Sequence, residues 1–209
     1  LVYYGAASLY MIDLEIFSIS ELQAIAISLA GIVLGWAVYD GLCRSLLGRN
    51  DVWLAIAGFV FLVGLAYGYG QIFSARGAFM QMGVIIGTIM VANVLLIIIP
   101  GQRKVVAALK VGEAPDPRYG ARGKQRSLHN NYLTLPVIFV MIGGHYPMVF
   151  ATDYAWAILA LVLAMGAVIR HFFNTKHKGD ALPWWTWGVA AALAVVAMVL
   201  SQLGAPPRA

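Results

Sequence analysis

Residues 79–100 read FMQMGVIIGTIMVANVLLIIIP, an apolar stretch without a charged side chain. An α-helix of about 20 such residues is about 30 Å long, which matches the hydrocarbon core of a bilayer. The whole chain has the same character, since 61% of its 209 residues are hydrophobic and 11% are charged. Soluble domains carry about 25% charged residues. The stretch therefore predicts a membrane-spanning helix, and the composition predicts a membrane protein.

Similar apolar segments on either side of this stretch predict an all-α fold, a polytopic transmembrane helix bundle. Six full spans are predicted, at residues 23–43, 53–73, 79–100, 131–151, 154–173 and 184–204. Residues 1–12 are apolar but would rise only about 18 Å as a helix, so they predict the second half of a partial N-terminal span. We interpret 1–204 as one transmembrane domain and 205–209 as the start of a linker. The polar connection 101–130 is expected to hold one or two helical turns and then irregular chain.

The basic residues are concentrated in alternate connections. Six alternating spans place twelve of the fourteen lysines and arginines on one side of the membrane: Arg44, Arg49, Arg103, Lys104, Lys110, Arg118, Arg122, Lys124, Arg126, Arg170, Lys176 and Lys178. Only Arg76 and Arg208 fall on the other side. Because basic loops stay in the cytoplasm, loop 101–130 is predicted to be cytoplasmic and the C-terminus to lie outside. Topology thus explains the net charge of +5, and nucleic-acid binding is not predicted.

Polar side chains and glycines inside the spans are candidates for contacts between helices. Asp40 lies one helical turn before Arg44, and the two are expected to form an ion pair near the cytoplasmic end of the first span. Since an ionisable residue in a span is also a functional candidate, that reading of Asp40 stays open. Asn93 lies deeper and is expected to bond to a neighbouring helix. Glycine pairs that allow close backbone approach are Gly31/Gly35, Gly64/Gly68 and Gly83/Gly87.

The histidines are the main candidates for chemistry. His129 and His145 are sixteen residues apart. On one helix this separation is about 24 Å, so the two cannot share a metal or a catalytic site. His171 ends the next span on the same side as His129. A neutral imidazole can ligate haem iron or carry protons, although a histidine at a helix end can also be merely interfacial. Pro136 is expected to kink the helix between His129 and His145.

Other motifs of soluble enzymes are missing from the sequence. It contains no GxxxxGK[ST], no HExxH, no GxSxG and no CxxC. Cys43 is the single cysteine, so the chain has neither an internal disulfide nor a CxxCH haem-attachment motif. Nucleotide hydrolysis and soluble hydrolase chemistry are therefore not predicted.

Four segments resemble the membrane-bound urate hydroxylase family of bacteria, the cytochrome-c-linked urate oxidases. They are YDGLCRSLLGRND (39–51), SARGAFMQMGVIIGTIMVANVLLIIIPGQRKVVAALKVGEAPDP (74–117), RGKQRSLHNNYLTLPVIFVMIGGHYP (122–147) and IRHFFNTKHKG (169–179). The resemblance runs in order through most of the chain and includes loops. Loop matches such as IPGQRKVVAALKVGEAPDP are not explained by hydrophobic composition.

The resemblance implies an eight-span membrane domain followed by a c-type cytochrome, in the bacterial cytoplasmic membrane. It implies oxidation of urate to 5-hydroxyisourate, with electrons passing to haem c of the cytochrome rather than directly to oxygen. The chain is then expected to be truncated at both ends, without the first two spans and without the cytochrome domain. The family pattern often has Ser-Asn before the outer histidine, where this chain has Gly143 and Gly144.

Urate is a planar anion, so its site needs a positive group and hydrogen-bond donors. Combined with the resemblance, the inner membrane edge offers candidate catalytic residues His129, Asn130 and Asn131, and candidate substrate-binding residues Arg126, Tyr132, Arg170 and His171. The outer edge offers His145 as a candidate cofactor residue, a ligand to the iron of a b-type haem.

Two alternatives to a catalytic domain stay open. The chain could be a non-catalytic membrane anchor, or a haem or quinol electron-transfer subunit of a larger complex. A purine transporter is disfavoured, because the sequence lacks paired discontinuous helices and internal symmetry. The expected partners are urate, a c-type cytochrome and the lipid bilayer, and homo-oligomerisation is left open.

Overall fold

The computed structural model describes Ile12 and residues 18–150 and 152–203, and within these residues it contains helices and no strand. The helices are α1 (Glu21–Arg44), α2 (Asp51–Gly70), α3 (Ala75–Ala92), α4 (Ile99–Lys110), α5 (Pro117–Gly143), α6 (Pro147–Phe150), α7 (Ala155–Lys178) and α8 (Trp185–Leu203). A 3₁₀ turn, Leu46–Arg49, precedes α2, and a π-helical segment, Asn93–Ile98, joins α3 to α4 without a break. The all-α class is confirmed. The partial span predicted at 1–12 lies, apart from Ile12, outside the described residues.

Polar residues at the connections fix where the helices begin. Ser20 caps α1 in a capping box with Gln23, and the Asn50 side chain accepts from two backbone amides at the start of α2. The Asp116 carboxylate accepts from the amide of Arg118 and starts α5, with Pro117 at the first helical position. Each cap satisfies amides that have no partner within the helix.

Among the described residues, five helices are long and apolar enough to cross a membrane: α1, α2, the continuous α3–α4 segment Ala75–Lys110, α7 and α8. These helices support a membrane protein. The number of spans and the side on which the C-terminus lies stay predictions. Helix α5 is outside this set because basic and polar residues fill its first half and lower its mean hydropathy.

Two predicted boundaries differ from the structure. The predicted loop 101–130 is mostly helical, since α4 extends to Lys110 and α5 begins at Pro117. The predicted span 131–151 is interrupted, because α5 ends at Gly143 and α6 starts at Pro147. The glycine pair 143–144 and the proline that follows explain the break, since glycine favours helix ends and proline favours helix starts.

The glycine pairs are not equivalent. A Cβ atom added at Gly31 would collide with the Tyr69 hydroxyl, and one at Gly35 would lie 2.9 Å from Ile85 Cγ2. A Cβ at Gly83 would lie 2.8 Å from Met141 Sδ. These glycines therefore allow close helix packing. By contrast, Gly64, Gly68 and Gly87 have nothing within 4 Å of such an atom.

Helices α5 and α7 approach each other closely at Pro136. A Cβ at Gly166 of α7 would lie 2.7 Å from Pro136 Cδ, so the proline ring occupies the space that a side chain would need. Both residues are buried. This contact holds the second half of α5, and with it the residues that follow His129, against the rest of the bundle.

Candidate functional site

A buried ion pair joins α1 to α5. Arg126 is 3% exposed, and its Nη2 donates to Asp40 Oδ1 over 2.7 Å. Asp40 Oδ2 also lies 2.6 Å from Arg44 Nε, as predicted from the spacing in α1. The bond to Arg126 was not predicted, because it links residues 86 positions apart. One carboxylate therefore serves two guanidinium groups, and a buried Arg126 gains the counter-ion that a desolvated charge needs.

Asn93 is the hub of the hydrogen bonds around this pair. It is fully buried and is the first residue of the π-helical segment. Its Nδ2 donates to Tyr39 Oη over 3.0 Å and to Asn130 Oδ1 over 2.9 Å. Its Oδ1 accepts from Arg126 Nη1 over 3.3 Å. The predicted bond to a neighbouring helix is confirmed, and π-helical segments of this kind are frequent at functional sites.

His129 lies one turn after Arg126 on α5 and faces α1. Its Nδ1 is 2.7 Å from Tyr39 Oη and 3.9 Å from Cys43 Sγ. Tyr39 and Cys43 are four residues apart on α1, so they present their side chains on one face of that helix. The roles in this bond depend on the tautomer: a neutral imidazole with its proton on Nδ1 donates to Tyr39 Oη and leaves Nε2 free to accept a proton. Tyr39 thus sets the orientation of a group able to move protons.

A cavity of about 460 Å³ opens beside this network. It is lined by the C-terminal end of α1 and the 3₁₀ turn that follows. The π-helical segment, α4 and the first half of α5 complete the wall. Five cationic side chains and no acidic one contribute to its wall: Arg44, Arg49, Lys104, Arg122 and Arg126. Gln125 Nε2 donates to the Gly48 carbonyl over 2.9 Å and fastens the 3₁₀ turn to α5. The volume and the positive charge of the cavity are therefore suitable for a small organic anion.

The predicted inner-edge residues fall into two groups. Arg126, His129 and Asn130 belong to the buried network, with Asn130 Nδ2 donating to the Met90 carbonyl over 2.9 Å. The other four, Asn131, Tyr132, Arg170 and His171, lie outside this network. Of all seven predicted residues, only Arg126 lines the cavity.

Two of these four interact with each other. Arg170 Nε donates to the Asn131 carbonyl over 3.1 Å, which joins α7 to α5. Among the described residues, Asn131 Oδ1 is buried without a hydrogen-bond partner. The His171 ring lies 6.2 Å from that of Trp185 on α8. The single inner cluster expected from the sequence is therefore two sets of residues, and the roles predicted for them stay predictions.

His145 lies in the short turn between α5 and α6 and is exposed. A Cβ at the neighbouring Gly143 would lie 3.0 Å from Phe79 Cε1, so a larger residue there would crowd α3. A haem needs an enclosed apolar slot, and the side chain of His145 is open to the surroundings. The arrangement does not fit a haem at this position, and its ligation by His145 stays a prediction. Within the described residues, no three histidine, cysteine or acidic side chains are grouped to hold a metal ion.

The residues that sequence reasoning missed are Tyr39, Lys104, Tyr119 and Arg122. Tyr39 looked like one more aromatic residue of a span, and the other three lay in a segment interpreted as a loop. The available signal was Asp40, a charged residue inside an apolar segment, because such a group demands a partner.

An all-α fold of long apolar helices with a cavity lined by cationic side chains indicates a membrane protein. The chain matches the family described as "Urate oxidase N-terminal" over residues 1–201, and it belongs to that family. It is thus a membrane protein related to urate oxidation. No curated protein and no solved structure matches the chain.

Proposed function

We propose that the chain is the membrane domain of an enzyme that oxidises urate to 5-hydroxyisourate and passes the electrons to a c-type cytochrome. Family membership supports urate as the substrate. The observation that carries the proposal is the buried Arg126–Asp40–Asn93–Tyr39–His129 network beside a cationic cavity. Oxidation of an anionic purine needs a group that accepts protons and a positive charge that binds the anion. This network holds both together.

The reaction balances as urate and water giving 5-hydroxyisourate, two electrons and two protons. Water supplies the new hydroxyl oxygen, and the cytochrome haem is the electron acceptor. His129 is the proposed acceptor of the proton that water loses, and Tyr39 holds its ring in place. Arg126 stabilises negative charge on the purine oxygens as the ring is attacked. Asn130 positions Asn93 and through it Arg126.

The test is urate-dependent reduction of a c-type haem in membranes that contain the full-length protein. His129→Gln keeps a polar side chain but removes the base, so kcat should fall about 100-fold or more with the protein level unchanged. His177→Gln is the matched control, because His177 is exposed near the end of α7 and bonds only to the Phe173 carbonyl among the described residues. It should keep wild-type turnover.

Unchanged turnover in His129→Gln would remove this histidine from the chemistry. If the wild-type protein carried no urate-dependent electron flow at all, the chain would instead be an anchor or an electron-transfer subunit.

A further inference from the structure

The charges around the cavity are unbalanced. Its wall carries five cationic side chains, and the nearest carboxylate, Asp40, is already shared by Arg44 and Arg126. Such a surplus of like charge in a concave surface is unfavourable when the cavity is filled only with water. An anion relieves it, so the electrostatics point to an anionic ligand.

The cations are arranged by depth. Lys104 and Arg122 are exposed, whereas Arg126 is buried and fixed by Asp40 and Asn93. Exposed cations attract an anion from solution, and a fixed guanidinium can hold it with the N–H groups that Asp40 and Asn93 leave free. The cavity therefore has exposed cations, with Lys104 Nζ donating to Tyr119 Oη over 3.2 Å, and a buried cation fixed in its wall.

The remaining wall suits a flat ring rather than a small inorganic anion. Leu96, Ile97 and Pro100 contribute an apolar surface from the π-helical segment and α4, and Tyr119 contributes an aromatic ring. Cys43 also lines the cavity and lies 3.9 Å from His129 Nδ1. His129 itself does not line the cavity, and Cys43 is the wall residue that lies beside its ring.

We propose that this cavity is the substrate-binding site, that it takes an anionic purine, and that Lys104 and Arg122 bind its oxygens together with Arg126. The assignment rests on the proposed function and adds two residues, Lys104 and Arg122, that the sequence did not single out. It also moves substrate binding away from Arg170 and His171, which lie on α7, where Arg170 donates to the Asn131 carbonyl and the ring of His171 lies near that of Trp185 on α8.

The experiment measures binding of radiolabelled urate to the purified full-length protein in nanodiscs of neutral lipid, without an electron acceptor. Lys104→Gln and Arg122→Gln each remove one charged hydrogen bond to a urate oxygen, and each should raise the Kd for urate about tenfold. Arg103→Gln and Arg118→Gln are matched controls, because each removes one positive charge from the same segment without lining the cavity. They should change Kd less than twofold.

The outcomes separate this proposal from the proposed function. Equal Kd values in all four variants would overturn the cavity as the urate site, even if the protein oxidises urate. If Arg170→Gln raised Kd and the cavity variants did not, the second set of residues would be the site. If the cavity variants instead lost binding of phosphatidylglycerol vesicles while urate binding persisted, the cavity would hold lipid headgroups and the proposal would fail. Tight urate binding in His129→Gln, which should not turn over, would support the cavity independently of catalysis.

Discussion

At the scale of single residues, Asp40 does more than its spacing to Arg44 suggests. Its Oδ1 accepts a hydrogen bond from the buried Arg126, and the Arg126 guanidinium also donates to Asn93. Removing one partner of a buried ion pair leaves the other charge uncompensated, which costs more than the pair itself contributes. Asp40 is thus expected to determine both stability and the position of Arg126.

Asp40→Asn should lower the free energy of unfolding by about 3 kcal/mol, because it leaves Arg126 buried without a counter-ion. Thermal unfolding of the purified protein in detergent measures the change. Asp153→Asn, at an exposed position between α6 and α7, is the control and should have little effect.

Combining Asp40→Asn with Arg126→Gln should cost less than the two single changes added together, since the double variant has no unpaired charge. Strict additivity would show that the two side chains do not depend on each other.

At the scale of helices, close contacts depend on which glycine faces a neighbour. Gly166 receives the ring of Pro136, and this ring cannot rotate away because it is part of the backbone of α5. Gly64 on α2 has no neighbour within 4 Å of an added Cβ. The same substitution at the two positions should therefore change the stability of the protein differently.

Gly166→Ala should destabilise the protein by about 1–3 kcal/mol, because the methyl group must push α7 away from α5. Gly64→Ala should be neutral, or stabilising by up to about 1 kcal/mol, since alanine favours helix. Unfolding midpoints of the two variants, measured side by side, test this. A tolerated alanine at Gly166 would mean that the two helices pack less closely than described.

At the scale of the whole molecule, the fold gathers positive charge at one end of the bundle. The end of α1, the start of α5 and α4 are separated in sequence, yet their cations line one cavity. This agrees with the alternation of basic connections along the chain, from which this end is predicted to face the cytoplasm.

Cysteine labelling tests this orientation. In a Cys43→Ala background, Asp153→Cys should react with a membrane-impermeant maleimide in intact cells. Glu113→Cys, in the exposed turn before α5, should react only after the membrane is opened. The reverse pattern would place the cavity outside and contradict the proposed topology.

Sequence reasoning predicted the helical class, most of the apolar segments and the family. It also selected Arg126, His129 and Asn130, which the structure joins in one network. It placed Asn131, Tyr132, Arg170 and His171 in the same cluster, because position along a helix gives depth in the membrane. Depth in the membrane does not tell which side of the helix a residue lies on, and α5 has different neighbours on its two sides.

The sequence by itself determined that this is a helical membrane protein and predicted that most of its basic residues lie on one side, because hydrophobic length and charge distribution are local properties of the chain. Only the tertiary structure decided that Asp40 binds Arg126, that Asn93 links three helices, and that Lys104, Tyr119 and Arg122 share a cavity. These contacts depend on how each helix is rotated about its axis. That rotation is set by close packing at residues such as Gly35 and Gly166, and glycine spacing alone does not specify which neighbouring helix each glycine faces.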